Sequence, residues 1–162
     1  MPVPDKLAWM SLNVKTAITL VNGRYDFDQA NPSAGPSLIL DRVMYGYLTS
    51  AKQLDAVAVL GYHTGGTAYW DYVFAFSLEG NSPKLVGWLR AGSRADSGLY
   101  QLKVTNRGLI VDLFDPERRM GACCSEGFVR TTYDFKNGYF VQRGAQEYGD
   151  VEMSGPKRPD PK

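Results

Sequence analysis

Large apolar side chains recur at every second position along much of this chain, in stretches too short and too often interrupted for long helices. Between Thr67 and Leu78, Trp70, Tyr72, Phe74 and Phe76 alternate with smaller residues, which puts all four on one face of an extended strand and predicts that face in the core. Leu54-Asp55-Ala56-Val57-Ala58-Val59-Leu60 is apolar nearly throughout, the pattern of a central strand covered on both faces. Leu38 to Leu48, Leu85 to Leu89, Leu99 to Val104, Leu109 to Phe114, Phe128 to Phe135 and Tyr139 to Val141 read as further strands.

The punctuation between these stretches supports hairpins. Asn22-Gly23 separates Ala17–Val21 from Arg24–Phe27, and Asn137-Gly138 separates Phe128–Phe135 from Tyr139–Val141. Both pairs supply the positive φ angles that a two-residue hairpin turn requires. Asn106-Arg107-Gly108 predicts a third hairpin, Gly65-Gly66 another turn, and the proline- and glycine-containing stretch from Gln29 to Pro36 a loop. Helix candidates are confined to Asp5–Leu12 and a turn opening at Ser50, where Ser50-Ala51-Lys52-Gln53 has capping-box spacing. The expected fold is therefore all-β and mostly antiparallel, a sandwich or partly open barrel built of hairpins with at most short helices. The expected organisation is an N-terminal extension over residues 1–15, one β domain over 16–144, and a proline-rich extended tail over 145–162. No internal repeat emerges.

At 162 residues and 18.0 kDa the chain is the size of one domain. Its 18 Lys and Arg against 17 Asp and Glu leave a net charge of +1, which does not suggest nucleic acid or an anionic membrane as partner. No apolar run reaches the roughly 18–20 residues of a membrane span, so membrane insertion is not expected. The start lacks the basic and apolar regions of a secretory signal: the expectation is a cytoplasmic protein if Met1 is the native start and an envelope protein if a signal has been removed. The two cysteines, Cys123 and Cys124, are adjacent and can pair only through a strained small ring, so two free thiols are expected.

Several segments in order resemble a bacterial family of small, β-rich domains of unknown function, usually exported or lipid-anchored. The resemblance rests on Ile18-Thr19-Leu20-Val21-Asn22-Gly23-Arg24-Tyr25, on Gly46-Tyr47-Leu48 leading to Leu54–Leu60, on Gly65-Gly66 and on Gly108-Leu109-Ile110-Val111. The later run from Asp115 to Phe128 is similar to what one branch of such proteins carries before its last hairpin. The resemblance implies a β domain of the cell envelope, and no activity. Family members often carry an acidic, calcium-loop-like turn before the strand that corresponds to Leu54–Leu60. Here that turn reads Thr49-Ser50-Ala51-Lys52-Gln53, with only Asp55 left of the acidic set and Lys52 where a cation would sit, so metal binding is not carried over.

Candidate chemistry is sparse. Tyr62, His63, Tyr69 and Trp70 flank the Gly65-Gly66 turn. Tyr62 and Tyr69 are the members expected at the surface, available to a sugar, peptide or protein, while Trp70 is in phase with the core. Tyr100 is a further candidate contact. Arg118 and Arg119 are the arginines singled out for partner binding, among Arg90, Arg94, Arg107, Arg130 and Arg143, whose plain reading is a solvated face paired with local acids. Cys123 and Cys124 beside Arg118-Arg119 are redox candidates, since nearby cations lower a thiol pKa; the simpler alternative is inward packing. His63 is the sole histidine, either a polar residue near its turn or a partner to a cysteine brought close by the fold. Phosphate-loop, zinc-protease and nucleophile-elbow motifs do not occur, and no catalytic residue, metal or cofactor is expected. The leading functional expectation is a non-catalytic module that recognises another macromolecule, as a peripheral subunit of an envelope-associated assembly. The alternatives are a small-ligand-binding β barrel and a thiol-dependent redox sensor or enzyme.

Overall fold

The computed structural model describes residues 18–32, 34–93, 98–118 and 125–151. The extension before residue 16, with its expected helix at Asp5–Leu12, lies outside these residues, as do Arg94, Arg119, Cys123, Cys124 and residues 152–162. Among the described residues the strands are β1 (Arg24–Asp26), β2 (Ser37–Ser50), β3 (Gln53–His63), β4 (Tyr69–Glu79), β5 (Ser82–Ser93), β6 (Leu99–Thr105), β7 (Gly108–Phe114), β8 (Gly127–Lys136), β9 (Tyr139–Gln142) and β10 (Glu147–Asp150). They form two five-stranded antiparallel sheets. One has the order β1-β2-β3-β4-β5; the other has the order β10-β8-β7-β6, with β9 also on β8. Among the described residues no barrel closes, and the two sheets pack face to face about a shared core, in keeping with the expected all-β sandwich of hairpins. Among the described residues, no helix is long and apolar enough to cross a membrane.

Turn chemistry acts as the sequence predicts at Asn137-Gly138, where φ angles of 51° and 86° join β8 to β9. At Asn22-Gly23 the tight turn also forms, closed by Val21 and Arg24 exchanging both backbone hydrogen bonds. Pairing there stops at that one bridge, and β1 turns to pair with Ser37–Ile39 of β2 instead. The helical turn expected at Ser50 is not one. Ser50 Oγ accepts the N–H groups of Lys52 (3.3 Å) and Gln53 (3.1 Å), but these bonds close the hairpin between β2 and β3.

The predicted central strand is β3, third of five, and both its faces are buried over Val57–Tyr62. Val57 and Val59 face the second sheet with Val73 and Ala75 of β4, against Leu102, Leu109 and Val111; this is the core between the sheets. Ala58 and Leu60 face the other way with Tyr72 and Phe74, in a second apolar layer on the outside of the first sheet. The aromatic alternation of β4 therefore marks that outer layer, while the inter-sheet core is made by the small residues between the aromatics. Ile18, Leu20, Tyr25 and Phe27 pack on the outer layer. At the C-terminal end the second sheet runs on past residue 144, where Glu147–Asp150 pairs with Gly127–Arg130 of β8.

Candidate functional site

The residues around Gly65-Gly66 are divided between the two faces of the first sheet by the period of the strand. Tyr62 is only 4% exposed, which overturns the expectation that it lies at the surface. It packs in the outer layer, edge-on to Phe27 (5.7 Å between ring centroids) and stacked on Trp70 (5.9 Å), and burial pushes its phenol pKa up. Trp70 joins the same layer, as its phase predicts. His63, one residue on, is exposed and stacks on half-buried Tyr69 at 5.8 Å, so this predicted pair is brought together.

Sequence reading missed a third member of that end, Asp71. Its carboxylate accepts the Leu99 N–H (3.3 Å) across from the second sheet. Burial pushes its pKa above the ordinary aspartate value; the Leu99 bond and the positive field of His63 and Arg42 oppose this, and the negative field of Asp41 adds to it.

Tyr100 and Arg118 lie elsewhere, on the second sheet, and are not brought together. Tyr100 packs on Phe114 (5.0 Å) and stacks on Phe128 (5.7 Å). Arg118, in a short 3-10 turn at Pro116–Arg118, reaches over β10 to the Gly149 carbonyl (3.3 Å) and the Asp150 carboxylate (2.7 Å). Arg130 lies over the Phe128 ring at 5.1 Å and holds buried Asp112 with two bonds of 2.8 Å. Arg143 pairs with Asp134 at 3.4 Å. Arg118, Arg130 and Arg143 thus follow the plain reading, each paired with an acid near it in space.

The turn compared with a calcium loop is occupied by internal bonds. Asp55 is 0% exposed, and its carboxylate accepts the N–H groups of Leu48 (2.8 Å) and Thr49 (2.7 Å) together with the Thr49 hydroxyl (3.0 Å). It fastens the irregular end of β2 to β3, a structural use of a buried carboxylate. Among the described residues, no group of three or more His, Cys, Asp or Glu is placed to hold a metal ion.

The surface that stands out chemically was not singled out from the sequence. At the hairpin end of the first sheet, outside the sandwich, Tyr45 (65% exposed), Leu54 (50%) and Leu78 (54%) surround a depression of about 260 Å³ with Ala56, Phe76 and Pro83. Val43, two residues before Tyr45 on β2, extends the patch. Register assembles it: Tyr45 lies opposite Ala56, Ala56 opposite Phe76, and Leu78 opposite Pro83. The available signal was large apolar residues beside the two hairpin turns, at Leu54 and Leu78, where a turn ordinarily brings polar ones. Beside the patch, β2 from Asp41 to Gly46 pairs with β3 alone among the described residues, because β1 reaches only Ser37–Ile39.

Comparison with known proteins finds no matching family model, no matching curated protein and no matching solved structure.

Proposed function

We propose that this β sandwich is a protein-binding module, and that its partner contributes an extended, apolar segment laid along β2 over the Tyr45–Leu54–Leu78 depression. The observation that carries the reading is the clustering of exposed large apolar side chains around one depression. Contiguous apolar surface of this kind marks interaction sites, whereas apolar residues scattered singly do not. The adjoining edge of β2, unpaired from Asp41 to Gly46 among the described residues, favours an extended occupant: backbone groups on a sheet edge supply main-chain hydrogen bonds and the depression takes alternate side chains. Lys52 and Glu79, exposed at the hairpin turns next to Leu54 and Leu78, give the patch a charged border, in the manner of an apolar interface centre with a polar rim.

A photocrosslinking amino acid at position 45 tests this in the cells the protein comes from, with the same group at position 103 on the outside of the second sheet as control. The expected result is a discrete protein adduct from position 45, lost when Leu54→Glu is added, and none from position 103. No adduct from position 45, or the same adducts from both positions, refutes the reading.

A further inference from the structure

On the opposite side of the same end of the first sheet, the two sheets part into an open cleft of about 690 Å³. Its floor is apolar, with Leu48, Val86 and Phe135 from the edge of the inter-sheet core. Its charged lining is Lys84, Arg107 and Lys136, with no acidic side chain among the lining residues. Lys84 and Lys136 have partners outside the cleft, Glu79 at 2.8 Å and Asp134 at 3.1 Å, but all four side chains are solvent-accessible and such pairs are weak. Arg107 forms no ion pair among the described residues.

The backbone at Arg107 is the second observation. The residue has a φ of 62°, a conformation in which a long side chain is uncommon and which its neighbours Asn106 and Gly108 would adopt more readily. It is held there from both sides. Its N–H donates to the Tyr47 carbonyl of the first sheet (2.8 Å), and its carbonyl accepts the Phe135 N–H of the second (2.7 Å). The chain thus anchors the backbone of an arginine that lines a cleft with an apolar floor, and a guanidinium is always charged and able to bind a carboxylate or sulfonate with two parallel bonds. The opposite wall is equally fixed: a Cβ on Gly87 would come within 2.6 Å of the Phe135 ring, so β5 and the β8–β9 turn are in close contact.

We infer that this cleft binds a small amphipathic organic anion, its acid group on Arg107 with Lys84 and Lys136 nearby and its apolar body on the half-buried Val86 and Phe135. This site is independent of the protein-docking patch. The probe is 4-phenylbutanoate, followed by amide chemical shifts of the labelled full-length protein, with neutral 4-phenylbutanamide as control. Saturable shifts are expected at Val86, Arg107, Asn137 and Gly138. Affinity should fall about tenfold for the neutral amide and about tenfold in Arg107→Asn, as loss of one charge-assisted contact predicts; asparagine tolerates the positive φ. Lys84→Gln/Lys136→Gln, which leaves the Arg107 turn untouched, should weaken binding as well and remove much of its salt dependence. Shifts confined to other regions, equal binding of acid and amide, or unchanged affinity in both variants overturns the inference.

Discussion

Single side chains in this protein are governed by which face of a strand they occupy and by what the opposite sheet offers them. Asp71 shows the consequence for pH. Its pKa is raised, chiefly by burial, so in the pH region just above the ordinary aspartate value the folded protein holds a proton that the unfolded chain has released. Stability from this group is fullest below the unfolded pKa and declines as pH rises through the folded one. Asp71→Asn keeps an oxygen for the Leu99 N–H and removes the charge. The expectation is a variant whose stability gains on the wild type as pH rises through that region, by urea unfolding at a series of pH values; parallel curves would contradict it. None of this was legible beforehand, because sequence period puts Asp71 on the face shared with Val73 and Ala75 but cannot show that Leu99 comes across to meet it. Tyr62 fails for the related reason that a glycine turn nearby does not decide burial; its parity with Leu60 and Ala58 does, and that parity was available in the sequence.

Elements were read more successfully than sites, since strands and hairpin turns are local. The period-two run of β4, the doubly covered β3 and the Asn-Gly turn before β9 follow from residue patterns within about ten positions. The pairing of β1 with β2 and of β10 with β8 depends on distant partners and left little local trace. Packing between elements is just as unlocal. Gly46 on β2 lets β6 approach so closely that a Cβ there would lie 2.3 Å from Val104 Cγ1. Gly46→Ala is therefore expected to cost about 2 kcal/mol through overpacking, and Val104→Ala to recover a large part of that cost by vacating the clash. Denaturant unfolding of the two single variants and the double variant measures the coupling. The same remedy is closed at Gly108, where the added Cβ would lie 2.1 Å from the Tyr133 carbonyl oxygen and no side-chain truncation relieves it. If the two changes at 46 and 104 simply add, the close approach of β2 and β6 is not what fixes glycine at 46.

At the scale of the whole molecule, the first sheet works as a partition. One hairpin end has the apolar depression of Tyr45, Leu54 and Leu78 outside the sandwich and the cationic cleft of Arg107 between the sheets. β5 gives the cleft three successive residues, Lys84, Leu85 and Val86, and Leu85 also packs into the outer layer with Phe76. Each surface is held by neighbours of its own. The depression rests on β3 and β4 in unbroken register from Ala56 to His63, and the cleft is fastened by the backbone bonds of Arg107 to Tyr47 and Phe135. Occupation of one should therefore leave the other unchanged, as expected for sites whose contacts are not shared. Saturating 4-phenylbutanoate is expected to leave the yield of the position-45 crosslink unaltered, and Leu54→Glu to leave the affinity for 4-phenylbutanoate within about twofold. A larger effect in either direction would require β5 to move as ligand binds, because Lys84 and Leu85 border the cleft while Pro83 lines the depression. It would turn two separate sites into one linked pair, with the same coupling free energy measured from either side.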